Sequence, residues 1–179
     1  MGLWENASKF DLPSGAGPEL TAAFVSAMGN VAASVTLVST DGIAGRYGQT
    51  VSAMTSLSAD PPSLMVCLYR NTPAAEAVYA NGCFAVNVLG TSHHGLSNSF
   101  AGRQVNGERY VFDEAWTTLR TGSPVLPDAP AVFDCEVAHV ALMATHAVFV
   151  GRVKAAFSNE TETLTYRART YGSHSPTEP

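Results

Sequence analysis

The sequence predicts a mainly β domain with flanking helices, its strands closed into a six-stranded antiparallel barrel. Three observations predict this. Short β-branched and apolar runs, each bounded by Gly, Pro, Asp or Asn, outnumber the helical patterns. The last three runs follow one another with no helix between them, which favours antiparallel pairing. Closing about six strands on themselves also removes exposed edges.

Taken in order, residues 1–17 are punctuated by Gly, Pro and Ser and are expected to be poorly ordered. The domain proper is expected over 18–172, with a flexible tail over 173–179. Leu20, Phe24, Met28 and Val31 recur at helical spacing, so a helix should span about 19–30. Pro18 suits its first turn and Gly29-Asn30 its end. A strand over 34–40 follows, then the turn signal Asp41-Gly42 and a return strand over 45–54. Asp60-Pro61-Pro62 halts regular pairing before a strand over 63–69. Thr72-Pro73 caps a helix over about 73–81. A strand over 83–89 and a helix over about 92–100 come next. Residues 101–130 read as a long loop anchored by Trp116. The closing strands are expected over 132–143, 145–157 and 163–168.

Composition narrows the function. A chain of 179 residues buries roughly 70% of its unfolded surface without a staple. With 46% hydrophobic and 14% charged residues it is too apolar for disorder, and no apolar run is long enough for a spanning helix. The first twenty residues do not read as a secretory signal, and Met1-Gly2 lacks the basic patch that would support lipidation. Net charge is −5, with Lys9 and Lys154 the only lysines, so no basic stripe follows a nucleic-acid backbone. Three cysteines (Cys67, Cys83, Cys135) in no metal-binding spacing fit free thiols in a reducing cytoplasm. No GxGxxG, P-loop or GxSxG motif is present.

Four features could carry chemistry. Gln49–Ser58 sets hydroxyls at 50, 52, 55, 56 and 58 on a strand end and the following turn. They either satisfy that turn or converge on a phosphate or flat heterocycle. His146 sits in an expected hairpin at a barrel mouth, as a ligand-facing imidazole or an ordinary turn residue. Arg167, Arg169 and Tyr171 alternate along the last strand, either gripping a pyrophosphate or forming an exposed strand end. Asp134 and Glu136, two apart, share a strand face and read as a solvated pair. His93-His94 reads as the start of a surface helix, and His139 as a solvent-facing strand residue.

These segments, taken together, resemble the flavin reductase-like, FMN-binding split-barrel family. That family includes reductase components of two-component aromatic monooxygenases, such as those serving 4-hydroxyphenylacetate and chlorophenol hydroxylases. The matching stretches cover roughly 20–172: Val35–Thr40, Gly48–Ser58, Asp60–Leu68, Asn71-Thr72, Phe84–Leu89, Phe100–Gly102 with Glu108–Tyr110, Phe133–Val137, Thr145–Gly151 and Tyr166–Tyr171. The resemblance implies a flavin, FMN or FAD, held by Thr50, Ser52, Ala53, Met54, Thr55, Ser56 and Ser58. It sets Asn71, Thr72 and Arg109 near the flavin phosphate, and Asn87 and Phe100 close to the site. It implies that His146 faces the nicotinamide dinucleotide, NADH or NADPH, with Arg169 and Tyr171 helping to hold it. Many relatives carry Gly-Asp before that histidine; here it is Ala144-Thr145, so the nicotinamide preference stays open. A homodimer, and reduced flavin passed to a separate oxygenase, are further implications. The expected reaction is hydride transfer between rings stacked about 3–3.5 Å apart, which needs no protein acid or base. Two alternatives remain: a non-enzymatic flavin-binding or electron-relay protein, and an oxidase of a pyridoxal-type substrate.

Overall fold

A computed structural model describes residues 3–10, 12, 15–102 and 110–175. In chain order its elements are β1 (Ser8–Phe10), α1 (Pro18–Gly29), β2 (Ala33–Ser34), β3 (Thr36–Thr40), β4 (Tyr47–Val51), β5 (Met54–Ala59), β6 (Pro62–Tyr69), α2 (Pro73–Asn81), β7 (Cys83–Val88), a 3-10 turn (Thr91–His93), α3 (His94–Phe100), β8 (Thr117–Thr118), β9 (Pro124–Val125), β10 (Ala131–Met143), β11 (His146–Ser158), β12 (Leu164–Arg167) and β13 (Thr170–Ser173).

One sheet dominates, with hydrogen-bonded order β4-β3-β7-β10-β11-β6-β5 and every pair on that path antiparallel. Only Ser52 and Ala53 separate β4 from β5, the two ends of the path. A small sheet, β13-β12-β2, is joined to it through Val35, whose amide donates to Leu164 O at 2.9 Å.

The expected elements are present with four differences, the first being that the loop expected over 101–130 carries the short paired strands β8 and β9. The return strand stops at Val51, and a further strand, β5, runs over Met54–Ala59. Its Thr/Ser-rich, largely exposed face hides it from a hydrophobic-period reading. The last predicted strand is a hairpin. Ala168 (φ 50°) and Arg169 (φ 63°) form its two-residue turn, and Thr170 returns opposite Arg167. Arg167, Arg169 and Tyr171 therefore do not alternate along one strand. Within 1–17, β1 pairs in parallel with β10, and Ala7 is buried in the core. That part of the segment is ordered by packing, against the expectation from its composition.

Thr72 caps α2, its hydroxyl accepting from Ala75 N at 3.2 Å, and Gly82 ends the helix in the left-handed region (φ 70°). Two apolar clusters fill the interior. One gathers Val38, Leu64, Val66, Leu68, Phe84, Val86 and Phe149, with Val78 of α2. The other gathers Leu37, Leu89, Phe100, Val125, Val132 and Leu164, with Trp116 packed against it as the loop anchor.

Gly151 on β11 lets two layers meet. A Cβ there would lie 2.5 Å from Phe84 Cζ and 2.9 Å from Cys135 Cβ. Gly151→Ala is expected to cost about 2 kcal/mol through overpacking and to lower Tm by roughly 4–8 °C in a thermal melt. An unchanged Tm would show that Phe84 has room to move aside.

Candidate functional site

The site is built where β4 gives way to β5. β4 pairs with β3 and β5 with β6, so the chain changes partners across Ser52-Ala53. Ala53 O accepts from Cys67 N at 3.0 Å. Ladder positions alternate, so the register turns the amides of Met54 and Ser56 away from β6. That edge has no strand beside it in the hydrogen-bonded path.

A cleft of about 230 Å³ opens at this junction, lined by Val35, Thr50, Val51, Ser52, Ser97, Ala101, Tyr166 and Tyr171. Its polar walls are mutually tied. Thr50 Oγ1 donates to Ser97 O at 2.9 Å, and Tyr171 OH lies 2.9 Å from both Ser97 Oγ and Asn98 Oδ1. Tyr166 and Tyr171 meet edge-on, with centroids 5.3 Å apart. A second hollow of about 400 Å³ shares Ser52 and Tyr166 and adds Ala53, Arg167, Ala168, Arg169, the Met28-Gly29 end of α1, and Val31 just beyond it. Hydroxyls, aromatic faces and two arginines line the pair, and among the described residues no carboxylate does. Met54, Thr55, Ser56 and Ser58 line a separate groove of about 530 Å³ with Pro62, Phe133 and Val153.

Asn71, Thr72 and His146 lie together elsewhere. Thr72 Oγ1 sits 2.9 Å from both Gln49 Oε1 and Tyr69 O. Gln49 and Thr50 follow one another on β4, so their side chains leave opposite faces and Thr72 meets the face away from Thr50. The amide of Arg70 donates to Thr145 O at 3.0 Å, which seats the β10–β11 turn beside this loop. His146 is exposed, opposite Tyr69 in register, with ring centroids 5.8 Å apart and its Nδ1 2.9 Å from Thr145 Oγ1.

Two expected site residues are structural instead. Asn87 is fully buried: its Nδ2 donates to Leu37 O (3.2 Å) and Ser39 Oγ (3.0 Å), and its Oδ1 accepts from Leu126 N (2.8 Å). No polar atom is left to meet a ligand. Phe100 is buried against Tyr110, Phe112 and Trp116, its ring filling the space beside Gly48. Arg109 lies outside the described residues. Asp134 is not half of a solvated pair: it is fully buried and accepts from Thr121 N at 2.8 Å and from Thr121 Oγ1. Its neighbour Glu136 is the exposed one, held below the usual carboxylate range by hydrogen bonds from Arg152 and then Lys154.

The remaining reactive groups are quiet. Burial, with the adjacent Asp134 charge, pushes the Cys135 thiol up to about 12, and burial also raises Cys67. Both stay protonated near neutral pH, as packing residues do. His93 caps the 3-10 turn, its Nδ1 accepting from Gly90 N at 3.0 Å and its Nε2 3.2 Å from Asp128. His139 contacts Ser8 Oγ at 3.1 Å. Among the described residues no group of three or more His, Cys, Asp or Glu could hold a metal, and no helix is long and apolar enough to cross a membrane.

The cleft's lining includes residues the sequence did not mark: Val35, Ser97, Ala101 and Tyr166. Ser97 and Ala101 stand four apart, one helical turn, and small residues at that spacing were the available signal.

The fold is a mainly antiparallel β domain in which a change of sheet partners is ringed by hydroxyls and tyrosines. The flavin reductase like domain family matches residues 28–175, and the chain belongs to that family. It is 41% identical over 167 residues to the FMN reductase (NADH) RutF of Variovorax paradoxus, covering 92% of each chain. It is 42% identical over 154 residues to the corresponding RutF of Bradyrhizobium diazoefficiens, covering 86% of this chain and 85% of that one. Among solved structures, the styrene monooxygenase flavin reductase of Pseudomonas putida S12 superposes with a TM-score of 0.76 at 30% identity, covering 87% of this chain and 99% of that one.

Proposed function

We propose that this chain is an NADH-dependent flavin reductase that takes FMN in preference to FAD and delivers the reduced flavin to a separate monooxygenase. A cleft of hydroxyls and aromatic faces, in a chain so similar to FMN reductases (NADH), carries this reading. A flat ring with an anionic tail suits those walls: hydroxyls at Thr50, Ser52 and Ser97, the rings of Tyr166 and Tyr171, and Arg169 in the adjoining hollow. The reading includes a six-stranded split barrel in which β4 and β5 are two halves of one bent strand. The short Ser52-Ala53 link between the two ends of the sheet path supports it.

Bound flavin and nicotinamide supply hydride transfer between their rings. The chain's own residues orient and shield. The β5 edge amides fix the flavin and offer donors where negative charge gathers. Tyr166 and Tyr171 wall the cleft against water. His146 positions the nicotinamide donor and exchanges no proton.

The reading also includes a homodimer. Leu20, Phe24, Val25, Met28 and Val31 are each more than half exposed, and α1 buries none of its residues within one chain. A second copy is the partner that would cover them. Three unbridged thiols support a cytoplasmic setting.

Purified protein mixed with FMN or FAD and NADH or NADPH should sustain loss of nicotinamide absorbance, fastest with FMN and NADH. Flavin bound without turnover would favour an electron-relay protein; no flavin affinity at all would end the proposal. His146→Ala should raise KM for NADH about tenfold, roughly 1.4 kcal/mol, while KM for FMN moves less than twofold. Two unchanged constants would remove His146 from the site.

A further inference from the structure

We infer that the N-terminal segment Leu3–Phe10 is a brace for the β10–β11 turn, and that Trp4 is a positioning residue for the nicotinamide through His146. The inference rests on the reading that His146 faces the nicotinamide.

The β10–β11 hairpin outruns its sheet. β7 pairs with β10 only over Ala131–Glu136, so the far half of β10, leading to the turn, has no β7 beside it. On the other flank β6 follows β11 to its end, with Tyr69 opposite His146. The turn is thus held firmly on one side alone by the main sheet path. β1 fills the other side, pairing Ser8 with Ala141, Lys9 with Leu142 and Phe10 with Met143. Met143 is itself opposite His146 in the hairpin register, so β1 ends one strand away from the imidazole-bearing position.

A three-residue parallel strand is marginal by itself and must be pinned. Trp4 does the pinning. Its ring packs on Tyr79 of α2 with centroids 4.8 Å apart and on Phe149 of β11 at 6.3 Å. Asn6 N donates to Tyr79 OH at 3.0 Å, and Ala7 is buried in the main cluster. Ser8 Oγ, 3.1 Å from His139 Nε2, adds a side-chain tie to β10. A cavity of about 610 Å³ runs between this strap and the turn, walled by Trp4, Lys9, Phe10, Arg70, Leu142 and Ala144. The strap and the turn therefore share one wall, and loosening the strap frees the turn.

A turn that visits the binding-competent position only part of the time weakens apparent affinity by that fraction. Trp4→Ala in the full chain should therefore raise KM for NADH roughly fivefold, with kcat and KM for FMN within about twofold. Trp4→Phe, which keeps an aromatic plug, should restore most of the loss. Amide exchange at Leu142–His146 should quicken about tenfold in Trp4→Ala, with core β7 unchanged. Lys9→Pro breaks β1 without opening a core cavity and should give the same pattern, which covers a poorly folding Trp4→Ala. If KM for both substrates rises together, or exchange at the turn is unaltered in either variant, the brace is wrong. His146→Ala assayed in parallel separates the two readings. If its KM for NADH stays unchanged, the nicotinamide role of His146 fails and the positioning role of Trp4 with it, while faster exchange still marks a structural brace.

Discussion

Asn87→Leu is expected to destabilise the protein by roughly 3–4 kcal/mol and to leave the flavin constant of the surviving folded fraction unchanged. The side chains are similar in volume, so the effect is not a cavity effect. Asn87 ties β7 to β3 through Leu37 O and Ser39 Oγ, and ties the 123–126 segment to both through Leu126 N. Replacing it strands the Leu126 amide and leaves Leu37 O and Ser39 Oγ short of a donor, in a region with no solvent access. Urea denaturation followed by tyrosine and tryptophan fluorescence gives the shift in midpoint. A variant of native stability that has lost its flavin would return Asn87 to the site.

Phe24→Asp should raise the dimer dissociation constant by more than 100-fold. Two-fold symmetry places the substitution in the interface twice, and a buried aromatic anchor is worth about 2 kcal/mol or more at each occurrence. Phe24 stands mid-helix among Leu20, Val25 and Met28, all more than half exposed in one chain, so its replacement disturbs no buried packing. Sedimentation velocity at micromolar concentrations separates the species. A monomeric parent protein, or a variant that associates as well as the parent, would contradict the two-copy reading. Because Met28 also lines the hollow beside Ser52, loss of the dimer should lower turnover as well.

Both results bear on how much the sequence disclosed. The strands β6, β7, β10 and β11 were legible because their apolar runs are long and their ends carry Pro, Gly or a capping Thr, as at Thr72-Pro73. β5 was not legible, since an edge strand with exposed hydroxyls has no hydrophobic period. The β12–β13 turn escaped because neither Ala168 nor Arg169 is a glycine, yet both sit at positive φ. At the site, the hydroxyl run 50–58 was visible as a chemical pattern, but its division between a cleft and a groove depends on where the strand changes partners. Asn87 and Phe100 were drawn into the site by position alone; burial, which spacing does not reveal, removes them. Asp134 misled for the same reason.

The β12–β13 turn holds two consecutive residues in a conformation that L-amino acids with side chains adopt at a cost, of order 1 kcal/mol each. Something outside the hairpin must impose it. The Ala168 amide donates to Gly29 O at 2.7 Å, and Arg167 Nε donates to Asn30 O at 3.1 Å, so the end of α1 is that clamp. The wall bearing Tyr166 and Arg169 is therefore set by the same helix whose apolar side lies exposed in one chain. If a second copy covers that side, any shift of the helix is transmitted along two hydrogen bonds to the hollow beside Ser52, whose width would then be a property of the assembled pair.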